Sequence, residues 1–185
     1  MQRLNLRTSR WLLYLFLSIY SLTLKSEVLP DSFDTVTASG VRQTVSGIIS
    51  FTRWPHLTDL PRLCVFGSAV FAPALKSATE GSPTAHWQAI PVSNLEQALG
   101  SHCDVLYFGR ESAQQQTELI NGYHPHPLLT IAEQSPQCES GSAFCLRINN
   151  GRVSFSLNLD SLRRSGVRVH PDVLMLASPE SEQHG

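Results

Sequence analysis

Cys103–Gly109, CDVLYFG, sets the fold class. Val105, Leu106, Tyr107 and Phe108 form a short apolar run that is stopped by glycine. A run of this length without polar alternation reads as a strand buried on both faces. The pattern recurs upstream at Arg62–Gly67, RLCVFG, and downstream at Pro127–Ala132, PLLTIA. His86–Val92, HWQAIPV, reads as a further strand. Helical spacing fills the gaps. Val70–Ala78 carries Pro73 near its start, Ser93 with Glu96 opens a capping box that Gly100 ends, and Glu111–Gly122 turns Leu119 and Ile120 inward. Strands alternating with helices predict a parallel sheet covered on both faces.

Beyond these strands the pattern changes. Pro136–Leu159, PQCESGSAFCLRINNGRVSFSLNL, holds two cysteines seven positions apart, then Leu146 and Ile148. A turn at Asn149-Asn150-Gly151 follows, then an answering alternation at Val153, Phe155 and Leu157. This is a β-hairpin entered through a small ring. Asn158–Arg164 reads as a short helix, Val167–Val169 as extended, Pro171–Ala177 as a last apolar helix and Ser178–Gly185 as a frayed tail. Near the N-terminus, Val41, Thr44, Val45, Ile48 and Phe51 recur at helical spacing after a polar lead-in over 27–35. Pro55 should stop that helix near Arg53 or Trp54. Gly40 and Gly47 lie within it, where small residues allow close approach. The fold class expected is α/β: a single compact domain with a mixed, mostly parallel sheet flanked by helices and a C-terminal antiparallel hairpin.

Residues 1–26 are laid out as an export signal. Arg3, Arg7 and Arg10 precede the apolar run Trp11–Leu24, and Ser21, Thr23 and Ser26 are small enough to flank a cleavage site. The run is shorter than the roughly 20 residues needed to span a bilayer, so cleavage after Ser26 is expected, leaving a domain over 27–185. The whole chain carries 14 basic and 15 acidic residues. Without residues 1–26 there are 10 basic against 15 acidic, a balance of −5. That disfavours nucleic acid and anionic membranes as partners, since neutralising phosphates takes clustered Lys and Arg. With 42% hydrophobic and 16% charged residues, the chain can bury a substantial core.

Export also governs how the cysteines read. Four cysteines in an oxidising compartment point to disulfides, with three possible pairings. Zinc competes poorly: no C-x-x-C occurs, and no His stands at ligand spacing from Cys138 and Cys145. Chain order and strand placement favour Cys64 with Cys103 and Cys138 with Cys145.

No catalytic constellation emerges. Gly67-Ser68-Ala69-Val70-Phe71 after the first strand matches neither phosphate-cradling glycine loop, and there is no G-x-S-x-G elbow. His124-Pro125-His126 lies on a turn without an implied third metal ligand. His102 beside Cys103 would mark an activated thiolate in a reducing compartment; here a disulfide is the better reading. Asp104, Glu111, Glu118 and Glu133 have no spacing that pairs two carboxylates. The expectation is a protein that is not an enzyme and has no cofactor and no metal. Two features suit binding instead. Arg53 and Trp54 at a helix end, with His170 across the chain, combine a cation, an aromatic ring and a titratable ring suited to a small anionic or aromatic ligand. Leu159–Arg164 sets Leu162 beside Arg163 and Arg164 on a helix suited to protein contact.

In order along the chain, VSGIISFTRWP (Val45–Pro55), LCVFGS (Leu63–Ser68), CDVLYFG, LLTIAEQ (Leu128–Gln134), GSAFCL (Gly141–Leu146) and NLDSLRRSGVRVHPDVLMLA (Asn158–Ala177) resemble the YfiR family. The resemblance spans about Val41–Ala177. It implies a periplasmic, usually dimeric α/β repressor that binds the periplasmic part of an inner-membrane diguanylate cyclase and holds it inactive. An OmpA-like outer-membrane lipoprotein would sequester the repressor, raising cyclic di-GMP and favouring biofilm. It implies the same two disulfides, Cys64–Cys103 and Cys138–Cys145. Phe144, expected to be exposed beside the ring, joins Leu162, Arg163 and Arg164 as the candidate docking surface. A periplasmic small-ligand sensor using Arg53, Trp54 and His170 is the alternative.

Overall fold

The computed structural model describes residues 32–77, 86–133, 135, 138 and 141–175. The export signal over 1–26, the turn at Glu80–Pro83 and the tail from Ser178 lie outside the described residues. Helix α1 (Ser32–Ser50) leads into a two-residue strand β1 (Thr52–Arg53). Then come β2 (Arg62–Phe66), α2 (Ala72–Ser77), β3 (Gln88–Val92), α3 (Leu95–Gly100), β4 (Val105–Phe108), α4 (Ala113–Tyr123) and β5 (Leu129–Ala132). The hairpin strands β6 (Phe144–Asn149) and β7 (Arg152–Leu157), α5 (Leu159–Arg164), β8 (Arg168–Val169) and α6 (Pro171–Met175) complete the chain.

The main sheet has the order β3-β2-β4-β5-β6-β7, parallel from β3 to β6 and antiparallel between β6 and β7. Each apolar run splits its side chains between two faces, because successive residues of a strand point to opposite sides. Leu63, Val65, Val105, Tyr107, Leu129 and Ile131 meet Val41, Val45 and Ile48 of α1 and Leu75 of α2 on one face. Cys64, Phe66, Leu106 and Phe108 meet Ala98 of α3 and Leu119 and Tyr123 of α4 on the other. Burial on both sides is why these strands carry no polar alternation. Pro91 is tolerated because β3 is an edge strand, where a missing N–H leaves no ladder partner unsatisfied.

The parallel pairing of β5 with β6 across a short connection has a geometric reason. Only Ile131 with Phe144 and Ala132 with Cys145 are in register, so β6 starts beside the end of β5 and runs on past it. The chain therefore needs no full crossover helix, which a fully overlapped parallel pair would require. Asn150 and Gly151 both have positive φ, 49° and 77°, the geometry of a two-residue hairpin turn that asparagine and glycine tolerate best.

Four sequence expectations change. Helix α1 begins at Ser32, within the stretch read as a polar lead-in. It ends at Ser50, short of the stop expected at Arg53 or Trp54, because Thr52 and Arg53 pair antiparallel with Val169 and Arg168. The Thr52 hydroxyl donates to Ile48 O at 2.7 Å and Arg53 Nη1 to Ser50 O at 2.7 Å, satisfying the last carbonyls. Asn94, not Ser93, caps α3: its Oδ1 accepts from Gln97 N at 2.8 Å, while Gln97 Oε1 accepts from Ser93 N. Finally, Gly40 does meet a neighbour, Val153, but a Cβ on Gly47 would find nothing within 4 Å.

Candidate functional site

In open sheets of this order, ligands bind beyond the C-terminal ends of the strands where the chain reverses direction across the sheet, here between β2 and β4. That crevice is filled by the protein itself. Glu133, just past β5 and 2% exposed, accepts from Val70 N at 2.8 Å and Phe71 N at 2.9 Å. Glu111, just past β4, accepts from the Ser68 hydroxyl at 2.6 Å and Gly109 N at 2.8 Å. The loops after β2 and β4 are in direct backbone contact, since a Cβ on Gly109 would stand 2.3 Å from Ala69 N. Burial pushes the Glu133 carboxyl up, opposed by the Phe71 and Val70 N–H groups and Arg110 and reinforced by Glu111. Burial and the Glu133 charge together raise the Tyr107 phenol, whose hydroxyl is buried without a partner. The N–H groups that would cradle a phosphate already hold carboxylates, and their negative charge opposes a second anion. Glu111 and Glu133 are 22 positions apart but meet at one sheet end. No spacing rule signals that, because the loops bring them together.

The ligand-binding candidates Arg53, Trp54 and His170 are brought to one region but not into one pocket. β1 pairs with β8, His170 N donates to Phe51 O at 3.0 Å, and the two rings lie 6.0 Å apart. Arg53 turns back onto the end of α1. Trp54 turns the other way, its Nε1 donating to Asp104 O at 3.1 Å. There it walls a cavity of about 280 Å3 with His56, His102, Asp104, Tyr123 and His126. Arg53 and Trp54 share a second hollow of about 220 Å3 with Asp59 and His86, and His170 lines neither. His170 instead faces Asp172 at 3.4 Å.

Both expected disulfides are formed: Cys64–Cys103 and Cys138–Cys145, each with Cα atoms 5.7 Å apart. The first ties β2 to the approach to β4, where Tyr123 accepts from Cys103 N and donates to Ala98 O at 2.6 Å. The second closes the ring before the hairpin. Asn158 Nδ2 donates to Cys138 O at 3.0 Å and so joins that ring to the start of α5.

Of the docking candidates, Phe144 must be withdrawn. It is fully buried, with its ring 5.6 Å from that of Phe155. As the first residue of β6 it falls on the face covered by α1, in register with Leu157. Leu162 is half-buried and packs against the same core. Arg163 is exposed and lies 3.6 Å from Asp160, and Arg164 is exposed. Leu159, which the sequence did not single out, is about half exposed at the start of the same helix. Among the described residues no group of three or more His, Cys, Asp and Glu is placed to hold a metal ion. No described helix is long and apolar enough to cross a membrane.

A family model described as YfiR/HmsC-like matches residues 40–178, and the chain belongs to that family, whose members are periplasmic regulators of cyclic di-GMP signalling.

Proposed function

We propose that the chain is a periplasmic repressor that binds the periplasmic part of an inner-membrane diguanylate cyclase and keeps it inactive. Release comes when an OmpA-like outer-membrane lipoprotein takes the repressor away, so that cyclic di-GMP rises and biofilm forms. The observation that carries this reading is the family match over residues 40–178, joined to a sheet end closed by Glu111 and Glu133. A regulator that works by docking needs a rigid surface and no reaction centre. Two disulfides supply rigidity suited to an oxidising compartment. Helix α5 supplies a surface with Leu159 as apolar contact and Arg163 and Arg164 as cations. The chain acts as a homodimer after removal of residues 1–26.

The test is capture of partners from a detergent extract of the native membrane by the tagged mature chain, with identification by mass spectrometry. Recovery of a membrane diguanylate cyclase, weakened by Arg163→Glu with Arg164→Glu, is expected. Repeated recovery of no such cyclase, from a folded and oxidised chain, sinks the proposal. Light scattering on the purified chain decides the dimer.

A further inference from the structure

We infer that a cavity between α4, α5 and the segment entering β5 binds a small organic carboxylate. Its volume is about 250 Å3, small beside the roughly 300–1,000 Å3 typical of drug-sized ligand pockets. Ile120 and Leu128 give it an apolar side, and Leu128 is buried in the second core cluster.

The polar groups of the wall define the ligand. Three hydroxyls are already engaged: Thr117 donates to Ala113 O, Ser165 donates to Leu162 O, and Thr130 accepts from Ala143 N. The Ser161 hydroxyl is not. It is buried, and it has no hydrogen-bond partner. Leaving a buried hydroxyl unpaired is unfavourable, and turning the Ser161 side chain about its Cα–Cβ bond to meet a ligand oxygen in the cavity would remove that penalty. Arg164 also lines the cavity and makes no ion pair among the described residues, whereas its neighbour Arg163 lies outside the wall, 3.6 Å from Asp160. A guanidinium matches a carboxylate with two parallel hydrogen bonds. His124 and His126 are the other titratable groups in the wall, and no described lining residue is acidic. A cation, an orphan hydroxyl and an apolar side, with no carboxylate among the described lining residues to neutralise an ammonium, favour a carboxylate with a hydrocarbon part over one that carries an amine. The site concerns the chain alone and does not depend on the repressor reading.

The experiment is calorimetric titration of the purified oxidised chain with benzoate and 3-phenylpropanoate, compared with phenylalanine and inorganic phosphate. Saturable binding of one equivalent of a simple carboxylate, tighter than phenylalanine or phosphate, is expected. Arg164→Gln should weaken it by about tenfold or more, and Ser161→Ala by a smaller factor. Arg163→Gln, outside the cavity wall, should leave it unchanged. Arg164 is exposed, so its variant should unfold at the wild-type temperature and carry the test even if Ser161→Ala is unstable. Absence of saturable carboxylate binding, binding indifferent to Arg164→Gln, or phosphate binding more tightly than either carboxylate would overturn the assignment.

Discussion

Replacing Gly109 with alanine tests whether the sheet end is as closed as the geometry makes it. The new Cβ would stand 2.3 Å from Ala69 N, 2.4 Å from Ala69 Cα and 2.5 Å from Ser68 C. All three are backbone atoms and cannot rotate away, so the loop after β2 must withdraw by about 1 Å to reach ordinary contact. Overpacking of this kind costs about 1–3 kcal/mol. The same loop carries Val70 N and Phe71 N, bonded to Glu133 at 2.8 and 2.9 Å. Loosening one of these bonds to a carboxylate adds about 1.5–3 kcal/mol, for a combined loss of about 2.5–6 kcal/mol. Gly47→Ala is the control. It lies inside α1 with nothing within 4 Å of the added methyl, so it should gain about 0.5–1 kcal/mol from helix propensity. Urea unfolding of the oxidised proteins, followed by far-ultraviolet circular dichroism, measures both. In thermal unfolding the pair should separate by roughly 10 °C or more, with opposite signs. A Gly109→Ala protein within about 1 kcal/mol of wild type would refute the closed sheet end.

Three further outcomes follow from the same geometry. Phe144→Ala should lose about 3–5 kcal/mol, because its ring is fully buried against Phe155, whereas Arg163→Ala should unfold as the wild type does. Opening the Cys64–Cys103 ring by double Cys→Ser substitution should cost about 4 kcal/mol in denaturant unfolding, and opening Cys138–Cys145 about 2.5, since the longer loop restrains the unfolded chain more. The Glu133 carboxyl is raised above its ordinary value, so the folded protein holds its proton to higher pH than the unfolded chain does. The resulting stabilisation is complete below the unfolded value and is lost as pH rises through the raised one. A stability profile against pH should therefore show a decline that Glu133→Gln removes.

The strands were legible because burial on both faces leaves only apolar residues, and glycine stops CDVLYFG and RLCVFG at strand length. The hairpin was legible because alternation at Val153, Phe155 and Leu157 and the Asn150-Gly151 turn are local signals. Phe144 misled for a physical reason. It sits where the ring joins the strand, and only the register with Leu157 shows that the alternation starts there and turns it inward. β1 was invisible, since two residues become a strand only by pairing with β8 more than 100 positions away. The Glu111 and Glu133 contacts, and the meeting of Arg164 with Ser161, Ile120 and Leu128, likewise depend on loop placement that no periodicity encodes. Arg53, Trp54 and His170 were near one another in space, but Arg53 and Trp54 are turned by backbone carbonyls at Ser50, Thr52 and Asp104, and His170 by Asp172.

Repression of a membrane cyclase would be read in the rate of cyclic di-GMP synthesis. The cyclase recovered from the native membrane is reconstituted in liposomes with GTP on the catalytic side and the purified oxidised chain on the other. A saturable fall in rate as the chain is added, lessened by Arg163→Glu with Arg164→Glu, is expected. A rate unaffected by saturating amounts of the folded chain would contradict it.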